Sequence, residues 1–187
     1  MIKIGITGSL ASGKSTVARI FAGTKYPLFN ADLQVSKIYR QKMFANKIFK
    51  VFRLNNKKNI KFKIKNIIKK NKGEINKLEK IIHPLIRNQI KIFTRKNKKK
   101  KFIFFEIPLL IESKLMKNYD VIIFVNSTRK TRLKRHLKRG KNKEMFNLLD
   151  KRQLSPQKKI KFSDYVINNN GSLKKLKIKI KSIKNKL

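Results

Sequence analysis

Gly8-Ser9-Leu10-Ala11-Ser12-Gly13-Lys14-Ser15 is the stretch whose reading decides the fold. It satisfies the spacing G-x-x-x-x-G-K-[ST] in the setting that pattern requires. Ile2-Lys3-Ile4-Gly5-Ile6 before it reads as a strand. Thr16 to Ala22 after it reads as a helix with Val17, Ile20 and Phe21 on one face and Gly23 at its end. Glycine lets the backbone turn tightly enough for successive N–H groups to surround phosphate oxygens. The helix start adds the positive end of its dipole. In that geometry Lys14 reaches the β- and γ-phosphates of a nucleoside triphosphate, and the Ser15 hydroxyl binds Mg²⁺. Gly8 through Ser15, with Thr16, are therefore read as the ATP-binding segment, and Lys14 also as a catalytic residue.

Outward from the loop, short apolar runs alternate with longer basic amphipathic stretches. Tyr26 to Phe29 reads as a second strand, and residues 33 to about 95 as helical, with a turn at 71–73. Phe102-Ile103-Phe104-Phe105 and Val121-Ile122-Ile123-Phe124-Val125 are near-continuous apolar runs, as expected of parallel strands covered on both faces. A basic helix is expected over Arg129 to Arg139, a small strand at Tyr165-Val166-Ile167 before the turn signal Asn168-Asn169-Asn170-Gly171, and a last basic helix in the C-terminal Lys/Ile tract. Strands separated by helices imply an α/β fold with a parallel sheet.

The chain has 187 residues, 40% of them hydrophobic and 13 of them Phe, which is enough for one compact domain with its own core. No apolar run reaches the ~18 residues needed to cross a membrane, and the N-terminus carries no cleavable signal pattern. With no cysteine, disulfides, thiolate metal sites and a Cys nucleophile are excluded. The expectation is a soluble cytoplasmic protein. Against 9 Asp and Glu stand 51 Lys and Arg, a formal net charge of +42. Such an excess suits a nucleic-acid binder. Lys, Ile, Asn and Phe are also the residues of A/T-rich codons, and the lysines are spread along the chain rather than gathered in one stripe. Composition drift is the reading adopted, with nucleic-acid binding at most incidental.

So few acids can be audited one by one. Phosphoryl transfer to a hydroxyl benefits from a carboxylate that orients the nucleophile and takes its proton, and ligands of open parallel sheets sit at the carboxyl ends of strands. Only Asp32 and Glu106 follow strands at that edge. Asp32 is the candidate base, with a helix N-cap as its alternative role. Glu106 is either a metal- or water-ordering acid or a structural one. Glu112 would contact substrate or hold its loop. Asp120 begins a strand at the opposite edge and suits a turn or cap; Asp164 precedes another. Glu74, Glu79, Glu144 and Asp150 read as solvated helix residues.

Among the bases, Arg132, Arg135 and Arg139 stand at i, i+3 and i+7 on the helix that begins at Arg129, and so share a face. That face would stabilise charge on a transferred phosphoryl group, or is simply a solvated basic surface. His83-Pro84 is either a phosphate contact or a structural corner, with Pro84 starting a new helix at Leu85.

The ordered motifs resemble the dephospho-coenzyme A kinase family over nearly the whole chain. Ile4 to Gly8 and Gly13 to Ala18 look like its opening, and Asn30-Ala31-Asp32 like its Asp-Ala-Asp element. Ile82-His83-Pro84-Leu85-Ile86 is similar to its His-Pro segment, and Ile107-Pro108-Leu109-Leu110-Ile111-Glu112 to its Pro-Leu-Leu-x-Glu segment. Leu133 to Arg139 resembles its lid helix, and Gln153 with Asp164 to Asn169 completes the order. The resemblance implies a P-loop NTPase-type three-layer α/β/α fold with a five-stranded parallel sheet, a helical substrate domain around 33–95 and a lid around 129–155. It implies ATP-dependent, Mg²⁺-assisted phosphorylation of the ribose 3′-hydroxyl of dephospho-CoA; a monomer is expected. By position, Asp32 is the base, Arg135 and Arg139 contact phosphates, and Asn169 lies near the nucleotide base. Asp32, His83, Pro108, Leu109 and Glu112 face the acceptor, and Ser15 and Glu106 the metal. Three positions depart from the pattern: Asn30 replaces the first acid, Arg132 stands where Gln is common, and Ser163 where Ala is. The alternatives are another small-molecule or nucleoside monophosphate kinase of the same class, and an NTP-dependent nucleic-acid-binding protein.

Overall fold

The computed structural model describes residues 1–56, 58–71 and 73–187, and their side chains except at 69 and 70. Lys72, within the turn expected at 71–73, lies outside the described residues. The chain divides into two compact units, one of Met1–Asn30 with Asn97–Leu187 and one of Ala31–Lys96.

The first unit is built on β1 (Ile2–Gly8), β2 (Leu28–Asn30), β3 (Phe102–Glu106), β4 (Val121–Asn126) and β5 (Tyr165–Asn168), all parallel and ordered β2-β3-β1-β4-β5. β1 is central, so the glycine loop leaves the middle of the sheet's carboxyl edge. β3 is buried along its whole length, as an apolar run without alternation requires. On one face α1 (Lys14–Ala22) and α9 (Leu173–Lys184) bring Val17, Ala18, Phe21, Leu176 and Ile180 onto Ile4, Ile6, Phe104, Ile123 and Val125. Each fully buried Phe in this cluster contributes about 2–3 kcal/mol by leaving water. On the other face Leu110 and Tyr119 press on Gly5, where an added Cβ would stand 2.6 Å from the Leu110 side chain.

The opposite edge of the sheet explains two of the acids. Asp120 accepts the Lys3 N–H at 2.7 Å and returns its own N–H to the Lys3 carbonyl at 2.9 Å. Asp164 repeats the exchange with Ile122, at 2.7 and 2.9 Å. Each carboxylate thus caps the strand beside it.

The second unit contains α2 (Ala31–Ile38), α3 (Lys42–Val51), α4 (Ile60–Lys70) and α5 (Glu74–Lys96). Its core joins Ile38, Phe44, Ile48, Ile60, Ile64, Leu78 and Ile81, with Ile82 and Ile86 against it. Pro84 does not start a helix; it lies inside α5. A proline there removes one backbone bond and disfavours the helix by about 3 kcal/mol. Apolar packing from Leu78 to Ile86, on both sides of the ring, keeps the helix continuous.

Back in the first unit, α6 (Arg129–Leu137), α7 (Lys143–Lys151) and α8 (Pro156–Ile160) follow β4. Thr128 caps α6 and Asn142 caps α7 through side-chain oxygens. α6 ends two residues short of the expected Arg139, because Gly140 takes a left-handed φ of 69° and its N–H closes on the Leu137 carbonyl at 2.9 Å. Between α6 and α7 the buried His136 ring meets the edge of Phe146 at 5.4 Å, its Nε2 without a hydrogen-bond partner. No helix among the described residues is long and apolar enough to cross a membrane.

Burial pushes the His136 imidazole below its ordinary value, Lys141 and Arg139 push the same way, and a backbone hydrogen bond at Asn142 partly opposes them. The unfolded chain therefore takes up this proton first as pH falls. Stability from His136 is complete above its unfolded pKa of about 6.5, and is lost as pH falls toward the lower folded value. Urea denaturation from pH 7.5 to 5 is expected to show a decline that flattens measurably in His136→Gln.

Candidate active site

The loop between β1 and α1 is closed by its own backbone and by groups from far along the chain. Ser12 N–H bonds the Ser9 carbonyl at 3.1 Å, and the Thr16 and Val17 N–H groups return to Gly13. Two glycines are required. At Gly8 a Cβ would lie 2.6 Å from both Ser12 Oγ and the Val125 carbonyl, and at Gly13, with φ 94°, it would lie 2.3 Å from Asn169 Nδ2. Lys14 begins α1 and Ser15 is exposed beside it.

Ser15 Oγ donates to Glu106 Oε1 at 2.5 Å, and Asn30 Nδ2 donates to Glu106 Oε2. Asn30 and Glu106 are register partners across β2 and β3, at the strand ends where ligands of such sheets sit. Both oxygens of the buried Glu106 are thereby oriented. Asn30, in place of an acid, acts as a donor where a second carboxylate would repel. A hydroxyl beside a carboxylate is a hard oxygen set that fits Mg²⁺, which usually takes one or two protein ligands and completes its shell with phosphate and water. Among the described residues no three His, Cys, Asp or Glu side chains converge, so triphosphate oxygens would supply much of that shell. The buried Ser12 Oγ has no partner, which leaves one more donor inside the loop.

Arginine positions on α6 divide by what they touch. Arg135 donates to the Ser12 carbonyl at 3.2 Å, to the Asn169 carbonyl at 3.0 Å and to Ser127 Oγ at 3.4 Å. Its neighbour across the loop is Gly13. Partial burial lowers its pKa, and repulsion from Arg139 adds to that. Two guanidinium charges repelling beside the N-terminus of α1 form a place for an anion. Arg139 is off the helix and exposed, so it does not share a helical face with Arg132 and Arg135. Arg132 is buried and pairs with Asp150 through both terminal nitrogens, while its Nε donates to the Ser127 carbonyl at 3.2 Å. Asp150, expected to be solvated, is the partner of a buried cation instead.

Several expected binding residues are engaged with the protein itself. Leu10 N–H is taken by Gln153 Oε1 at 2.8 Å and so does not point to a phosphate. Asn169 Nδ2 donates to the Ser12 carbonyl at 2.8 Å, which holds the loop. Asn170 Oδ1 accepts from Ser127 Oγ and Thr128 N–H at 2.8 and 2.9 Å, which fastens the start of α6. Glu112 Oε1 accepts Leu154 N–H at 3.2 Å and pairs with Lys159 Nζ at 2.7 Å. Pro108 contributes its carbonyl to Thr7 Oγ1 at 3.1 Å, with half-buried Leu109 next to it. In the second unit Asp32 stands in the first turn of α2 and half-buried His83 in α5. The Leu10–Gln153 and Arg132–Asp150 contacts had no local signal in sequence, since 143 and 18 residues separate the partners.

The family model described as dephospho-CoA kinase matches residues 2–175. The chain belongs to the dephospho-CoA kinase family. A dephospho-CoA kinase of Fusobacterium nucleatum is 38% identical over 178 residues, covering 92% of each chain. Among solved structures, TT1252 from Thermus thermophilus superposes with a TM-score of 0.80 at 25% identity, covering 100% of this chain and 97% of that one. A dephospho-CoA kinase from Campylobacter jejuni has the same fold, with a TM-score of 0.66 at 24% identity over 98% of this chain and 96% of its own. The P-loop kinase fold of the dephospho-CoA kinases thus accounts for the sheet order and the position of the loop.

Lys159 has no exposed side-chain surface, and burial lowers its pKa while Glu112 opposes the shift. Removing one member of such a pair leaves an uncompensated charge, at about 3–5 kcal/mol. Glu112→Leu is expected to lower the unfolding free energy by about 3 kcal/mol, and Glu112→Leu with Lys159→Met to recover most of it, as read by urea denaturation.

Proposed function

We propose that this chain transfers the γ-phosphoryl group of ATP to the ribose 3′-hydroxyl of dephospho-CoA, giving coenzyme A and ADP. The observation that carries the reading is the family match over residues 2–175 on a chain whose Ser15, next to Lys14 at the start of α1, meets Glu106 at the end of β3. The reaction forms a bond from the 3′-oxygen to the γ-phosphorus and breaks the bond from that phosphorus to the β-bridging oxygen. Lys14 meets the β- and γ-phosphates, and Arg135, with Arg139, meets the charge that spreads over the transferred group. Asp32, two residues beyond Asn30, accepts the hydroxyl proton and orients the nucleophile. Ser15 and Glu106 would hold Mg²⁺, whose charge, when bound, balances the β- and γ-oxygens. The Ala31–Lys96 unit, with His83, and the segment from Pro108 receive the acceptor. Residues 129–155 serve as the lid region in this reading.

In this reading the protein works as a monomer in the cytoplasm, and nucleic-acid binding is at most incidental. Polyanion binding through the +42 charge would fade at moderate salt, as counterion release requires.

An ADP-release assay offered dephospho-CoA, AMP and shikimate separately decides the acceptor. Turnover is expected with dephospho-CoA alone; comparable turnover with either other acceptor overturns the reading. Lys14→Ala should reduce kcat/KM by about 10²–10³-fold, and Asp32→Asn should reduce kcat by about 10²–10⁴-fold with a smaller change in KM. An Asp32→Asn enzyme with full turnover removes Asp32 from the base role.

A further inference from the structure

The phosphate loop contains a strained residue that its own sequence does not explain. Ala11 has a φ of 59°, in the left-handed region where a side chain other than glycine is disfavoured by about 1–2 kcal/mol. Such a conformation persists only where its surroundings over-determine it. Both peptide groups beside Ala11 are in fact tied down. The carbonyl of Leu10, before it, accepts from Arg132 Nη1 at 3.4 Å. The N–H of Ser12, after it, donates to the Ser9 carbonyl at 3.1 Å. One peptide further back, the Leu10 N–H donates to Gln153 Oε1 at 2.8 Å.

The two outside arms share an anchor. Arg132 is 4% exposed, and three more of its donors are held by Asp150 and the Ser127 carbonyl. The Gln153 N–H bonds the Asp150 carbonyl at 3.1 Å. The side chain of Asp150 therefore fixes the arm that reaches the Leu10 carbonyl, and its main chain fixes the arm that reaches the Leu10 N–H. Neither arm reaches the phosphates through a free group; each acts on them through the loop backbone.

We propose that Gln153 and Arg132 are positioning residues that hold Leu10 from both sides, and so keep Ala11 left-handed and the loop in its phosphate-receiving shape before nucleotide arrives. A loop already in shape does not lose that conformational freedom on binding, so the gain appears in nucleotide affinity rather than in the chemical step. The proposal rests on the reading that this loop takes ATP, but its first readout does not. Amide hydrogen exchange at Leu10, measured by NMR on the nucleotide-free protein, reports the clamp directly, whereas turnover of dephospho-CoA by the wild-type chain tests the functional reading.

The variants are Gln153→Ala, which removes the acceptor, and Gln153→Glu, which keeps an acceptor oxygen at the same reach. Ala11→Gly combined with Gln153→Ala supplies a residue that takes positive φ freely. Gln153→Ala is expected to raise Leu10 exchange at least about tenfold. It should weaken ATP binding by calorimetry about 3–10-fold, the equivalent of one net hydrogen bond, with KM for ATP following and kcat moving less. Gln153→Glu should retain Leu10 protection, and Ala11→Gly should restore part of the ATP affinity lost in Gln153→Ala. Wild-type exchange at Leu10 in Gln153→Ala overturns the proposal. So does faster exchange with unchanged ATP affinity, or a loss of affinity that Ala11→Gly leaves untouched, since a packing role for Gln153 would give that last result.

Discussion

The Ser12 carbonyl accepts from Asn169 Nδ2 at 2.8 Å and from Arg135 at 3.2 Å, and the phosphate loop takes its shape around that junction. Through it the turn leaving β1 is joined to the segment after β5 and to α6. Gly13 must approach the Asn169 amide so closely that no Cβ fits between them. Strand, loop and helix are thus locked at the carboxyl edge of the sheet, where fixed donors and an N-terminal helix dipole meet incoming charge. Because these donors are ordered in advance, little reorganisation remains when the triphosphate arrives.

Charge scarcity shapes the same edge. In a chain with 51 cationic and 9 acidic side chains, five of the acids stand where a misplaced cation or an open strand end would be most harmful. Asp120 and Asp164 close strand ends. Asp150 and Glu112 neutralise Arg132 and Lys159, which are buried. Glu106 is oriented by donors on both oxygens. The surface carries the excess, where water and salt screen it, while the interior of the first unit remains paired.

The architecture was legible wherever the physics is local. Unbroken apolar runs announced β3 and β4, and the glycine spacing announced the loop and its helix. Strand ends likewise pointed to Glu106, which meets Ser15 there. Long-range partners were not legible. Nothing near Asp150 shows that its carboxylate meets Arg132, and nothing near Leu10 shows that Gln153 takes its N–H, since 143 residues separate that pair. Local rules also failed where packing outweighed them: Pro84 was expected to break a helix, and apolar contacts on either side carried α5 through it. Gly140 acted in the other direction, ending α6 early enough to put Arg139 outside the helical face it was expected to share.

The bond from Asn169 to Ser12 spans 157 residues, and that separation sets an order of events during synthesis. The motif emerges from the ribosome first, and β1 waits for both of its sheet neighbours, β3 and β4, to be made. The junction at Ser12 cannot close until α6 and the segment following β5 have appeared. A nascent or truncated chain that stops before Asn169 therefore carries the complete glycine signature without the locked loop. The loop in its locked form therefore needs residues from both stretches of the first unit, Met1–Asn30 and Asn97–Leu187.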